Sequence, residues 1–116
     1  MTSRVFITQQ ASGHDYAKAE DFGLIVPIWA PGQQAYGDTS HIADMARTTL
    51  ATFDADNDYL LTIGDPALTA IAISRVALNT DGRFRLLKWD KYIASPRGGY
   101  DRGYRVVEID FDAQPR

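Results

Sequence analysis

Asp58-Tyr59-Leu60-Leu61-Thr62-Ile63-Gly64-Asp65-Pro66-Ala67-Leu68 is the stretch on which the fold turns. An apolar strand runs into a Gly-Asp-Pro corner and straight on into a helix. The Asp65 carboxylate suits the cap of that helix, and Pro66 suits its first position, where a missing N–H costs nothing. A strand that delivers directly into a helix is the unit of an α/β sheet, whose ligands bind outside the strand C-terminal ends. The corner by itself specifies no reaction.

Toward the N-terminus, Arg4-Val5-Phe6-Ile7-Thr8-Gln9 is apolar enough to be a buried first strand. The polar stretch 11–23 holds an expected short helix at 16–22, ended by Gly23. Leu24-Ile25-Val26-Pro27-Ile28-Trp29 is a second strand, and Pro27, which cannot donate to a ladder, assigns it to a sheet edge or a bulge. After a loop at 30–38, a helix starts at Thr39 or Ser40. It carries Ile42, Met45, Ala46, Thr49, Leu50 and Phe53 on one face, which makes it amphipathic. A polar turn at 54–58 leads to the strand at 59–63.

Toward the C-terminus, the helix from Pro66 to about Leu78 is apolar almost all round, so it is either deeply packed or covered by a partner. A turn at 79–82 precedes a fourth strand at 83–89. Residues 91–103 read as a Gly/Pro/Arg/Tyr loop, and 104–109 as a fifth strand, antiparallel because no helix precedes it. Alternation in the fourth strand sets Arg85, Leu87 and Trp89 on one face, with Trp89 expected in the core. The expected fold is α/β: a small three-layer Rossmann-like open sheet, mostly parallel, with an antiparallel C-terminal strand. Residues 1–116 form one domain.

The totals bound the function. With 116 residues, 45% hydrophobic and 23% charged, the composition is that of an ordinary soluble globular domain. The formal net charge of −3 excludes a globally basic nucleic-acid binder, and the lack of cysteine excludes disulfides, thiolate metal sites and cysteine nucleophiles. No apolar run reaches the roughly 18–20 residues of a membrane span. The N-terminus enters a strand at once with no signal-peptide pattern, so the expected compartment is the cytoplasm.

Four stretches carry a resemblance: Arg4-Val5-Phe6-Ile7-Thr8-Gln9, Ala19-Glu20-Asp21-Phe22-Gly23, Asp58-Tyr59-Leu60-Leu61-Thr62-Ile63-Gly64-Asp65-Pro66 and Leu86-Leu87-Lys88-Trp89-Asp90. In this order they resemble a group of short, uncharacterised proteins encoded by tailed bacteriophages. The resemblance covers most of residues 4–91 and leaves the loop and last strand outside. It implies a phage origin and action in the host cytoplasm during infection. It brings no catalytic residues, because that group has no assigned activity.

Two constellations could carry function. The first lies at the strand C-terminal ends, where Gln9, His14, Gly64 and Asp65 would line a pocket for a nucleotide or another small ligand. The corner has neither the G-x-G-x-x-G nor the P-loop pattern, so Asp65 would accept from a ribose hydroxyl or a base amine rather than touch phosphate. His14 and His41 are the only histidines, and neither has metal or catalytic spacing. Asp54, Asp56, Asn57 and Asp58 lack the glycine and the bidentate Glu of a calcium loop and read as a solvated turn. No metal or cofactor is implied.

The second constellation is electrostatic. Residues 83–105 hold seven cations against two acids, a net of +5, which leaves −8 for the rest of the chain. Tyr92, Tyr100 and Tyr104 interleave there with Arg97, Gly98, Gly99, Arg102 and Gly103. Arginine and tyrosine pair with phosphates and stack on bases, and they are also enriched at protein interfaces. The bland reading is a solvated hairpin balancing the acidic remainder. Acidity elsewhere would repel bulk nucleic acid, so a protein interface is the favoured functional role.

The leading expectation is therefore a non-catalytic phage accessory protein that binds a host protein in takeover or defence evasion, through Arg97, Tyr100, Arg102 and Tyr104. The alternative is a module that binds, and could hydrolyse, a nucleotide at the strand ends. A virion structural role is a third class, against which the compact, tail-free sequence argues. A homodimer is the default assembly for a domain of this size with an open sheet edge.

Overall fold

The computed structural model describes residues 2–10 and 16–113. It contains strand β1 (Arg4–Gln9), helix α1 (Ala17–Glu20), β2 (Leu24–Trp29), α2 (Ser40–Thr49) with a 3-10 turn at Leu50–Thr52, β3 (Tyr59–Leu61), α3 (Pro66–Asn79), β4 (Arg83–Ala94) and β5 (Tyr100–Asp110). The strands form one sheet in the order β2-β1-β3-β4-β5. β1 is parallel to β2 and β3, β3 is parallel to β4, and β5 is antiparallel to β4. The expected α/β class and mostly parallel sheet are those observed.

β1 sits between two parallel neighbours, so Val5 to Gln9 are all buried. Its alternating side chains feed two cores. Phe6 joins Trp29, Leu50, Phe53, Leu60, Leu68, Ala72, Val76 and Phe84 under α2 and α3. Val5 and Ile7 face the other way with Leu61, Leu87 and Ala19 of α1. β2 and β3 leave β1 on opposite sides, so one crossover hand places α1 on one face and α2 on the other. Three layers result.

Each helix forms for a local reason and is held by packing. α3 begins as its sequence predicts: the Asp65 side chain accepts the Ala67 N–H at 2.7 Å, and Pro66 follows the cap. Only one stripe of α3 is deeply buried (Leu68, Ala72, Val76), whereas Leu78 is 70% exposed. In α2 the apolar face packs on β2, and the buried Trp29 indole donates to the Ile42 carbonyl at 3.1 Å. α1 is a single turn rather than the longer helix expected at 16–22. Gly23 ends it at a point where any Cβ would lie 2.4 Å from the Ser3 carbonyl oxygen, so only glycine fits.

β3 is shorter than the 59–63 expectation because a side chain replaces its ladder. The Thr8 hydroxyl donates to the Ile63 carbonyl at 2.6 Å and accepts the Ile63 N–H at 2.7 Å. Both backbone groups are satisfied without a further strand residue. Pro27 lies in β2 at the sheet edge, where a missing donor is tolerated.

Three expectations are corrected. Residues 91–103 are not a loop: β4 runs to Ala94, β5 starts at Tyr100, and the turn between them is closed by Ser95 and Gly99. The β-forming residues Tyr92, Ile93, Tyr100 and Tyr104 extend the ladder, and Gly98 and Gly99 supply the positive φ of a tight turn (+91° and +71°). Trp89 is not in the core. It is 41% exposed and packs edge-on against Tyr104, its cross-strand partner, with ring centroids 5.0 Å apart. The 54–58 turn is not wholly solvated either, because Asp58 is only 1% exposed.

Candidate functional site

The β4–β5 hairpin is longer than any other strand pair of the sheet, and its far end forms an arm. The register slips between Asp90 and Ile93, where β4 carries one residue more than β5. A bulge of this kind bends and twists its strand. Lys18 of α1 reaches the arm and donates its ammonium to the Arg102 carbonyl, and Ile93 packs where a Cβ on Gly103 would sit at 3.3 Å. The arm is therefore anchored to the domain at its base.

Beyond that base the arm is exposed. Tyr100 and Tyr92 are 68% and 69% exposed and stack edge-on across the hairpin at 5.7 Å. Of its cations, Arg105 is paired with Asp90 at 2.5 Å. Arg83 pairs with Asp56 at 2.7 Å, and Arg85 lies over the Tyr59 ring while donating to the Tyr59 hydroxyl and the Asp56 carbonyl. The Asp56 carboxylate beside Arg83 raises the guanidinium pKa further. Lys88, Lys91, Arg97 and Arg102 make no ion pair among the described residues. The segregated charge seen in the sequence thus resolves into a neutralised base and a cationic outer arm.

The residues expected to bind a partner fall on this arm in different settings. Arg97 stands at the turn, Tyr100 at the start of β5 and Arg102 just before the anchored base, all exposed. Tyr104 is half-buried against Trp89 and the α1 core. The sequence reading places Lys91 and Tyr92 in this basic segment without naming them as contacts, and misses Trp89, which it assigns to the core. The signal was present: β-formers continue past Trp89 on both sides of a single Gly-Gly turn.

The other constellation gathers at the β1/β3 junction. β2 and β3 flank β1 on opposite sides, so the strand order makes their C-terminal ends a topological switch point. Gln9, Gly64 and Asp65 do come together; His14 lies outside the described residues. Their polar groups, however, already hold the protein itself. The buried Gln9 amide accepts the Asp65 N–H at 2.9 Å and donates to the Ala30 and Gln33 carbonyls. The two Asp65 carboxylate oxygens accept from Ala67 and Ala35 N–H. Gly64, at φ +94°, lies so close that a Cβ would fall 2.0 Å from the Gln9 Oε1. The cluster locks three loops together.

A third polar cluster closes the opposite end of the sheet. Asp58 accepts the backbone N–H groups of Arg4 (2.9 Å) and Asp54 (2.8 Å), and its carboxylate pairs with the Arg4 guanidinium at 2.8 Å. The Asn57 amide, and after it the Asp56 N–H, hold the Asp54 carboxyl below its ordinary value of 3.8. Near the start of α2, the Ser40 hydroxyl and N–H do the same for Asp38. His41 is exposed beside them, and no group of three or more acidic or histidine side chains among the described residues could hold a metal ion.

Residues 3–96 match the protein family described as phage Pam3 gp32-like protein. The chain belongs to that family. The phage resemblance read from the four sequence stretches is thereby shown, and the matched segment extends over β1 to β4 and into the turn of the arm. No curated protein matches the chain, and neither does any solved structure. Among the described residues no helix is long and apolar enough to cross a membrane. The family places the protein with phage proteins, and the chemistry of its surface has to come from its own residues.

Proposed function

We propose that this member of the phage Pam3 gp32-like family is a non-catalytic accessory protein that acts in the host cytoplasm by binding a host protein through the β4–β5 arm, in host takeover or defence evasion. The observation that carries this reading is the outer arm. Lys91, Arg97 and Arg102, which make no ion pair among the described residues, share this arm with the exposed rings of Tyr92 and Tyr100, and Lys88 and Trp89 lie at its base. Arg and Tyr dominate interface hot spots because they offer large contact area and several donors for little lost freedom. An acidic patch on the host protein is the complement of such an arm. Bulk nucleic acid fits less well, since the remainder of the chain carries a net charge of −8.

The test is capture of a host protein by the tagged protein, compared with the double variant Arg97→Ala/Arg102→Ala. Both side chains are exposed and make no ion pair within the described structure, so the variant should fold with an unchanged Tm. Capture should fall by about tenfold or more, the loss expected when two interface arginines are truncated. Undiminished capture would remove the arm from the reading.

A second reading keeps the β1/β3 switch point as a nucleotide site, which the strand order favours. Native mass spectrometry of protein purified from bacterial lysate tests it directly. A released small molecule, bound more weakly by Asp65→Asn, is the expected result. Asp65→Asn should also cost about 1 kcal/mol, because an amide accepts only one of the two N–H bonds now made. A mass equal to the bare chain would count against the site.

A further inference from the structure

We infer that β5 pairs with β5 of a second copy of this chain, antiparallel about Val106, joining two five-stranded sheets into one. This inference rests on the β5 edge and not on the host-protein reading, although both use Arg102 and Tyr104; Asp110→Arg, which lies outside the host-binding contacts, separates them.

The argument begins with an open edge. β5 is the last strand in the sheet order, and it is eleven residues long. The other edge strand, β2, has six residues and a proline. Backbone groups along an antiparallel strand point alternately toward and away from the neighbour. The Phe111 N–H donates to the Gly82 carbonyl, so the odd-numbered residues from Gly103 to Ile109 address β4. The even-numbered ones, Arg102, Tyr104, Val106, Glu108 and Asp110, turn their N–H and C=O groups to the outside, where the Arg102 carbonyl accepts the exposed Lys18 side chain that an incoming strand would displace. An edge of this length recruits another strand unless something blocks it.

The charges on that edge select the occupant. Arg102 lies near one end of β5, and Glu108 and Asp110 lie at the other. A strand of the same sequence, reversed, meets this pattern with its own complement. With Val106 opposite Val106 of the second copy, Tyr104 faces Glu108 and Arg102 faces Asp110, each pairing occurring twice by the two-fold symmetry.

Every one of these is a pairing between outward-facing residues, as an antiparallel ladder requires. Arg102 makes no ion pair among the described residues of its own chain, and the Asp110 carboxylate holds the Asp112 N–H and lies across from Arg83, whose guanidinium is committed to Asp56. Arg105, the remaining cation on β5, is already tied to Asp90. At the centre, Val106 is 41% exposed beside Trp89 and Tyr104, so apolar surface is covered as well.

Neighbouring registers are poorer. Sliding by one pair in one direction sets Arg105 against Arg105 of the second copy, and like charges directly opposite destabilise a ladder. Sliding the other way carries Arg102 past the end of β5.

Sedimentation velocity of the full chain, from micromolar to submillimolar concentration, should show a monomer–dimer equilibrium. Arg102→Glu places a carboxylate opposite Asp110, and Asp110→Arg places a guanidinium opposite Arg102. Each variant alone should raise the dimer dissociation constant by about tenfold or more, since two attractive pairs become repulsive. An equimolar mixture of the two variants should recover the dimer, because both pairs in the mixed species are attractive again.

Circular dichroism on each variant confirms that the sheet is intact, as both side chains are exposed. A wild-type chain that stays monomeric over the whole range overturns the inference. So does a dimer that both variants leave unchanged, as one built on the exposed Leu78 and Phe111 would be. Folded variants whose mixture stays monomeric overturn the Val106 register.

Discussion

Replacing Asp58 with alanine is expected to lower the unfolding free energy by roughly 3–4 kcal/mol, the largest effect of any single substitution considered for this protein. The carboxylate is 1% exposed and holds three separate elements. It receives the Arg4 N–H at the start of β1, the Asp54 N–H of the turn, and the Arg4 guanidinium, which itself bonds Thr52. Alanine would leave two backbone donors without an acceptor in a place water reaches poorly, and each such donor costs about 1–3 kcal/mol.

The ion pair adds less, because the Arg4 side chain is 31% exposed and screened by solvent. Arg4→Ala should therefore cost clearly less, on the order of 1–2 kcal/mol, since Asp58 keeps both backbone bonds. Thermal unfolding should show the Asp58→Ala midpoint lower by roughly 12–16 °C. A loss no larger than that of Arg4→Ala would mean that the backbone donors are not what Asp58 serves.

Gly64→Ala should cost about 3 kcal/mol, from two sources that can be separated. The residue sits at φ +94°, where a Cβ is strained by about 1–2 kcal/mol whatever the surrounding space. The new Cβ would also stand 2.0 Å from the Gln9 Oε1 and force that side chain out. Gln9 would then release the Asp65 N–H and the Ala30 and Gln33 carbonyls.

Gln9→Ala alone should cost about 2 kcal/mol by the same loss of bonds. In the double variant the collision no longer exists, so the two losses should fall short of additivity by about 1–2 kcal/mol in urea unfolding. Strict additivity would show that Gln9 is not displaced. The cycle also bears on the site at the strand ends, because a Gln9 that must stay in place to hold Asp65 has little freedom to serve a ligand.

The sequence by itself determined the fold class and the family. The Gly64-Asp65-Pro66 corner dictates a strand-to-helix junction through local chemistry alone: a carboxylate cap and a proline at the first helical turn. The buried run of β1, the proline in β2 and the absence of a helix before β5 settle the sheet's parallel core, an edge and its antiparallel end. These are short-range signals, written in neighbouring residues.

Tertiary structure alone decided the rest, because the deciding partners are far apart in sequence. Thr8 ends β3 through Ile63, Lys18 anchors the arm through Arg102, and Asp58 is buried by Arg4. A local reading sees three acids in a turn and calls them solvated, yet burial depends on which strand passes overhead. It sees Gly, Pro, Arg and Tyr after Trp89 and reads a loop, yet a strand forms there because β5 returns to pair with it. Cross-strand hydrogen bonds reward extension only when both partners are present, so neither half of the arm announces itself alone.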